Sequence, residues 1–271
     1  GIDIENAPNS KVLLNSLISN YRGITIWRSP SSIIMNNTIE HSKDEGIKLE
    51  ISNNCIIMHN IINESVKNVG IYLRDTCNDT LAWNTVAGSW WYGGIWAWNV
   101  SESIIAGNYL LNNRQNGIYV WESSNNTIAR NTITSNGFAG INFTSWWCYS
   151  GNCHYLPSFN NTVVANTITN NPCGIYFVGG AQGNLVANNT IARNGKGIYT
   201  GYSPYDKPLN NVFYHNDFLN NTLKQAIDSY SNKFDNGYPS GGNYWSNYTG
   251  IDVRSGPYQN LTGSDGIGDT N

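Results

Sequence analysis

Charge is what this sequence has least of. Asp, Glu, Lys and Arg make up 12% of its 271 residues, about half the share of an ordinary globular chain. The 15 basic and 18 acidic residues leave a formal net charge of −3, and no Lys/Arg cluster stands out. That excludes a nucleic-acid or anionic-membrane partner held by electrostatics. Long apolar runs are missing too: none reaches the roughly 18 residues a membrane helix needs. Methionine is down to two residues and histidine to four, with no His-x-His step and no Met cluster. The five cysteines are an odd number. Cys148 and Cys153 flank a short Gly-containing loop and are read as a disulfide, with a bond from either one to Cys173 as the alternative. Cys55 and Cys77 belong to no Cys-x-x-Cys pair and read as buried thiols. The sequence also lacks an initiator Met and a signal peptide. Gly1-Ile2-Asp3-Ile4 opens in the middle of a repeat, which points to a processed form or a stretch of a longer product.

Asparagine and glycine fill the space that charge leaves, with 44 and 27 residues. Both favour turns and left-handed backbone and weaken helix interiors, so a helical bundle is excluded. A Gly-Ile step recurs at Gly1, Gly23, Gly46, Gly70, Gly94, Gly117, Gly140, Gly174 and Gly197. The intervals are 22 to 24 residues except one of 34, which holds an insertion around Ser145 to Phe159. A fixed period of this length means a solenoid. An Asn-x-apolar step keeps the same phase at Asn15, Asn37, Asn60, Asn84, Asn108, Asn131, Asn166, Asn189 and Asn216. Polar pairs before β-branched residues, such as Asn125-Asn126-Thr127 and Asn160-Asn161-Thr162, supply a third anchor. Each coil therefore holds three short strands. Apolar residues alternate after each Gly, as in Ile24/Ile26, Ile118/Val120 and Ile175/Phe177, so these point inward and their neighbours outward. Stacking like residues at about 4.8 Å lets turn Asn side chains form hydrogen-bonded ladders. The expected fold is an all-β, right-handed parallel β-helix of about nine coils over residues 1–218, followed by an irregular C-terminal cap over 219–271. A leucine-rich repeat, the structural rival, needs a helical segment and a Leu signature that these coils lack.

The coils, together with Gly-Gly-Asn-Tyr-Trp-Ser at 241–246 and Gly-Ser-Asp-Gly-Ile-Gly-Asp-Thr at 263–270, resemble the NosD-like right-handed β-helix family. The resemblance runs over essentially the whole chain. That family includes a periplasmic copper-associated accessory protein of nitrous oxide reductase and many archaeal cell-surface proteins. It implies a copper role as one reading, which needs soft or imidazole ligands that this sequence does not visibly cluster. In such proteins the Asp-Gly-Ile-Gly-Asp stretch is followed by further chain.

Calcium is the better metal candidate from the residues, because Asp265, Asp269 and Asp252 offer hard oxygen ligands in a Gly-rich loop. Catalysis needs paired carboxylates or a base with cationic help. The candidates are sparse: Asp3, Glu5 and Glu50 on early coils, Asp44 and Glu45 near Lys48, and Asp75 and Asp79 near Arg74. A non-catalytic protein is expected. The aromatic signal is stronger. Tyr72, Trp96, Tyr119, Tyr176 and Tyr199 fall at outward positions two after the Gly, Trp27, Trp98 and Trp121 four after it, and Trp146 and Trp147 in the insertion. An outward patch of this density, with Tyr72, Trp96, Trp98, Tyr119, Trp121, Trp146 and Trp147 at its centre, marks an interaction surface; stacking that merely stabilises the sheet is the alternative. Sequons at Asn36, Asn63, Asn78, Asn99, Asn125, Asn142, Asn160, Asn188, Asn220, Asn247 and Asn260 suggest N-glycosylation. The leading expectation is a non-catalytic extracellular structural glycoprotein of a cell surface, sheath or filament. It would associate with itself, as a homo-oligomer or polymer, through the aromatic face and the solenoid end. A polysaccharide-binding or carbohydrate-active β-helix is the second, and a periplasmic copper accessory the third.

Overall fold

The computed structural model describes the chain except residues 145, 150, 151, 202–205 and 267–271, and for residues 146–149 and 152–155 it describes the backbone alone. Among the described residues there is no helix. The chain winds as a parallel β-helix whose three sheets contain ten, nine and ten strands. Sheet A starts with Ile2–Glu5 and Ile24–Trp27, sheet B with Lys11–Leu13 and Ile33–Met35, and sheet C with Ser16–Ile18 and Thr38–Glu40. Each of the first nine coils contributes one strand to each sheet in that order. Registers hold without slippage: Ile24 pairs with Ile47, and Ile47 with Ile71.

Period-two alternation puts Ile24, Ile26, Ile47, Leu49, Ile118 and Ile141 into a core where each is fully buried. The first Ile after each glycine is thus the inward partner, and the glycine itself has no room for a side chain. A Cβ on Gly117 would lie 2.3 Å from Ile133 Cγ2 and 2.7 Å from the Gly140 carbonyl oxygen. Gly117→Ala is therefore expected to cost about 1–3 kcal/mol through overpacking, read as a lower urea midpoint; an unchanged midpoint would contradict this account of the recurring glycine.

The corners are held by asparagine. Between sheets B and C a ladder runs Asn15, Asn37, Asn60, Asn84, Asn108, Asn131, Asn166, Asn189, Asn216 and Asn243, each Nδ2 donating to the next Oδ1 at 2.9–3.0 Å. A second ladder, Asn113, Asn136, Asn171, Asn194 and Asn221, stands between sheets C and A. A third, Asn126, Asn161, Asn184, Asn211 and Asn232, stands between A and B.

The coil pattern does not stop at Phe218. Lys224–Ile227 pairs with Lys196–Thr200 in sheet A, and Tyr244–Trp245 pairs with Asp217–Leu219 in sheet C. A tenth turn escaped the sequence period because Gln225-Ala226 stands where other coils have Gly-Ile. The Gly-Gly-Asn-Tyr-Trp-Ser motif is part of that turn: Asn243 is the last rung of its ladder, and Trp245 stacks on Phe218 at 4.4 Å.

The insertion is an antiparallel hairpin of Trp146–Tyr149 and Asn152–Tyr155 outside the coil. It leaves at Thr144 and rejoins at Ser158, whose hydroxyl donates to the Thr144 carbonyl at 2.8 Å. Cys148 and Cys153 are directly opposed in its register. Their side chains, and with them the expected disulfide, lie outside the described residues, as do the side chains of Trp146 and Trp147. Cys173 is a free buried thiol.

Candidate functional site: the outer face of sheet A

Outward positions of sheet A form two ladders along the rod. One reads Asp3, Thr25, Lys48, Tyr72, Trp96, Tyr119, Asn142 and Tyr176 on successive coils. The other reads Glu5, Trp27, Glu50, Arg74, Trp98, Trp121 and Thr144. The first coils therefore present charge, the middle coils aromatic rings.

In the charged part, Glu50 accepts from Lys48 at 2.7 Å and from Arg74 at 3.2 Å, while Arg74 Nε also reaches Asp75 at 3.1 Å. Asp3, Glu5, Thr25, Trp27, Lys48 and Glu50 line an open groove of about 350 Å³. The Arg28 guanidinium lies 4.3 Å from the centre of the Trp27 ring, and that of Arg74 lies 4.6 Å from the centre of the Trp98 ring. Trp98 Nε1 donates to Glu122 at 3.1 Å.

The aromatic part differs from the exposed patch expected of it. Tyr72, Trp96 and Trp121 are only 6%, 7% and 9% exposed. Side chains one coil apart stand close enough to cover one another. Trp96 lies 4.7 Å from Tyr72, 5.7 Å from Trp98 and 5.9 Å from Trp121, and Tyr92 from the preceding turn stacks on it at 3.9 Å. These rings form a packed layer outside the coil core, with Trp98, Tyr119 and Tyr92 half-buried at its edge. The stacking alternative thus accounts for three of the named residues. The layer buries Trp96 Nε1, Trp121 Nε1 and Asn142 Oδ1 without a hydrogen-bond partner. Among the described residues the exposed indoles are instead Trp83, Trp90 and Trp91, of which Trp83 gave no signal in the Gly-phased ladders because it sits at a corner.

Other expected groupings resolve differently. Asp44 and Glu45 are held by Arg22 at 3.0 and 2.7 Å, not by Lys48. Burial pushes the Glu45 carboxyl up, against the pull of Arg22. Asp79 does not join Arg74 and Asp75 but is a buried corner residue. Cys55 is buried as expected, whereas Cys77 is only half-buried. Among the sequons, Asn142 is 8% exposed and packed in register beside Tyr119 and Tyr176, so the folded chain does not present it for glycosylation. Asn36, Asn78, Asn99, Asn125, Asn160, Asn188, Asn220, Asn247 and Asn260 are exposed and Asn63 half-buried. In the C-terminal loop, Asp252 accepts from Ser264 Oγ and from the Gly266 amide, and Asp265 accepts from the Gly256 amide and Gln259 Nε2; Asp269 lies outside the described residues.

No group of three His, Cys, Asp or Glu converges among the described residues. His41 pairs with Glu64 at 2.9 Å, and His215 bonds the Ser240 carbonyl. Burial pushes the Cys55 and Cys173 thiols up to about 11 and about 12, so neither supplies a thiolate at neutral pH. Met35 and Met58 are cross-strand partners on sheet B, and His59 follows Met58 in the chain.

Fold and surface together define a three-sheet parallel β-helix with a mixed charged and aromatic outer face. The chain belongs to the NosD family: the model described as periplasmic copper-binding protein (NosD) matches residues 1–147 and 149–250. No curated protein matches the chain in sequence. Among solved structures, the periplasmic alginate epimerase AlgG superposes with a TM-score of 0.61 at 18% identity, over 83% of this chain and 60% of that one. A tailspike protein mutant of E. coli bacteriophage HK620, in complex with a hexasaccharide, gives 0.60 at 13% identity, over 83% and 45%. The mannuronan C-5 epimerase AlgE4 A-module of Azotobacter vinelandii gives 0.54 at 12%, over 78% and 64%. At these identities the likeness is one of fold, and the chain spans less than two thirds of each. Among the described residues no helix is long and apolar enough to cross a membrane.

Proposed function

We propose that the outer face of sheet A, over its first six coils, is a polysaccharide-binding surface of a protein working in the periplasm. The observation that carries this is the arrangement of Trp27 and Trp98. Both are half-buried, each lies beside an arginine, and they stand three coil steps apart, about 14 Å, with Lys48, Glu50 and Arg74 between them. Indole faces accept the C–H face of a sugar ring, and the ion-paired cluster offers both donors and acceptors to ring hydroxyls. A regular chain of sugars matches a regular stack of coils. Fold neighbours that, by their titles, act on alginate or hold a hexasaccharide support the reading, and the family description supports the compartment. The filament reading loses its motive, since three of the rings meant for self-association are spent on each other. We assign no catalytic step to the groove, where Glu50 is already taken by Lys48 and Arg74.

Titration against soluble neutral and uronate polysaccharides tests this. Trp27→Ala and Trp98→Ala are each expected to weaken binding about tenfold or more, while Trp91→Ala, outside the groove, leaves it unchanged. No binding to any polysaccharide, or equal binding by all variants, would sink the proposal.

A further inference from the structure

We infer, resting on the polysaccharide reading, that the chain bound along sheet A is one of amino sugars, whose protonated amines are recognised by Asp3 and Glu5 beside the Trp27 ring. Asp3, Glu5, Trp27, Lys48 and Glu50 border one open groove of about 350 Å³. Three carboxylates meet a single lysine there, and that lysine is taken: Lys48 Nζ lies 2.7 Å from Glu50. Asp3 and Glu5 are exposed. Among the described residues neither forms an ion pair, and Glu5 accepts one hydrogen bond, from Asn6 Nδ2 at 3.2 Å. The groove is therefore acidic, with two carboxylates left for a ligand.

Register places the indole among these charges. Trp27 pairs with Glu5 on one side and Glu50 on the other, each about 4.8 Å away at the backbone. Asp3 precedes Glu5 by two residues on the same strand, about 6.6 Å. An indole face attracts a cation, and Trp27 already holds the Arg28 guanidinium at 4.3 Å. The pattern recurs at Trp98, which carries Arg74 at 4.6 Å and donates from Nε1 to Glu122 at 3.1 Å. Arg74 is itself spent on Glu50 and Asp75. Arg28 has no carboxylate partner among the described residues, but it lies outside the groove lining. A polyuronate brings a carboxylate on every ring, so it would meet Asp3 and Glu5 with like charge. A ring amine gains instead both the indole face and a charge-assisted hydrogen bond to a carboxylate.

Calorimetric titration of the full chain with three oligosaccharides of equal length is the test: a glucosamine oligomer, its N-acetylated counterpart and an oligouronate. At about pH 6 and low salt, the glucosamine oligomer is expected to bind about tenfold tighter than the N-acetylated one, whose rings carry no charge. The oligouronate should bind weakest of the three, and the preference for the amine should shrink in high salt. The Asp3→Asn/Glu5→Gln double variant should bind the glucosamine and N-acetylated oligomers alike. Both positions are exposed, so the fold is retained, and unchanged circular dichroism verifies it. An oligouronate bound as tightly as the glucosamine oligomer, or a preference that survives in the double variant, overturns the inference and leaves the polysaccharide reading standing. No binding of any of the three takes down both.

Discussion

Asp79→Asn is expected to stabilise the protein at pH 8 by roughly 2–4 kcal/mol and to leave it unchanged at pH 4. Asp79 is 1% exposed and stands at a corner where five later coils place Asn126, Asn161, Asn184, Asn211 and Asn232. Burial pushes its carboxyl up to about 7, although the Cys55 amide and the Thr76 hydroxyl both bond it. The hydrogen bonds explain why the proton stays. Thr76 Oγ1 lies 2.7 Å from both the Ser52 carbonyl and Asp79 Oδ2, and it has one hydrogen. With Asp79 protonated, Asp79 donates to Thr76 and Thr76 to Ser52; with Asp79 ionised, one of the two acceptors goes unserved. The folded value lies above the unfolded one of 3.8, so stability is complete below about pH 4, falls as pH rises towards 7 and is level beyond. Asparagine keeps the acceptor for Cys55, supplies a permanent donor to Thr76 and carries no charge. Urea midpoints of both proteins at pH 4, 6 and 8 check this. Glu45 also has a raised carboxyl, but it is common to both chains and cancels in the difference. Parallel pH curves for the two proteins would refute the assignment.

The same residue shows what could be read from sequence and what could not. Asn78-Asp79-Thr80 occupies the phase of Asn125-Asn126-Thr127, so its place at a corner follows from the period. Its neutral state depends on Thr76 and Ser52, which only the folded corner brings together. The solenoid, its three strands per coil and its inward residues were legible because one period governs all of them. The tenth turn was not, since Gln225-Ala226 breaks the Gly-Ile signature while the backbone keeps pairing. Outward positions were read correctly, as Trp96 and Trp121 do leave the coil core, but exposure was not. An outward residue on a solenoid meets neighbours one coil above and below, and large rings there bury each other. Met35 and Met58 carry a further lesson. They lie 23 residues apart, one coil, so a search for clustered residues in a solenoid must step by the period rather than along the chain.

Asn108→Ala is expected to cost about 3–5 kcal/mol, more than any single change in the aromatic face. Asn108 is 1% exposed. Its Oδ1 accepts from the backbone amide and the Nδ2 of Asn84, at 2.9 and 3.0 Å, and its Nδ2 donates to the Leu81 carbonyl at 2.9 Å and to Asn131 Oδ1 at 3.0 Å. Alanine leaves the Asn84 backbone amide and one Nδ2 hydrogen of Asn84 buried with no partner and no access to water, and each orphan costs about 1–3 kcal/mol. Asn15→Ala, at the first rung, removes a half-buried side chain whose Oδ1 receives nothing from the chain, and it should cost no more than about 1 kcal/mol. The contrast in urea midpoints is the test: equal losses at both positions would mean that asparagine acts through intrinsic turn preference rather than through the ladder. The ladder also bears on function. It fixes the rise and phase of each coil, and the three-coil separation of Trp27 from Trp98 follows from that rise. A chain weakened at Asn108 but still folded should therefore lose polysaccharide affinity on heating before it unfolds, whereas Asn15→Ala should not.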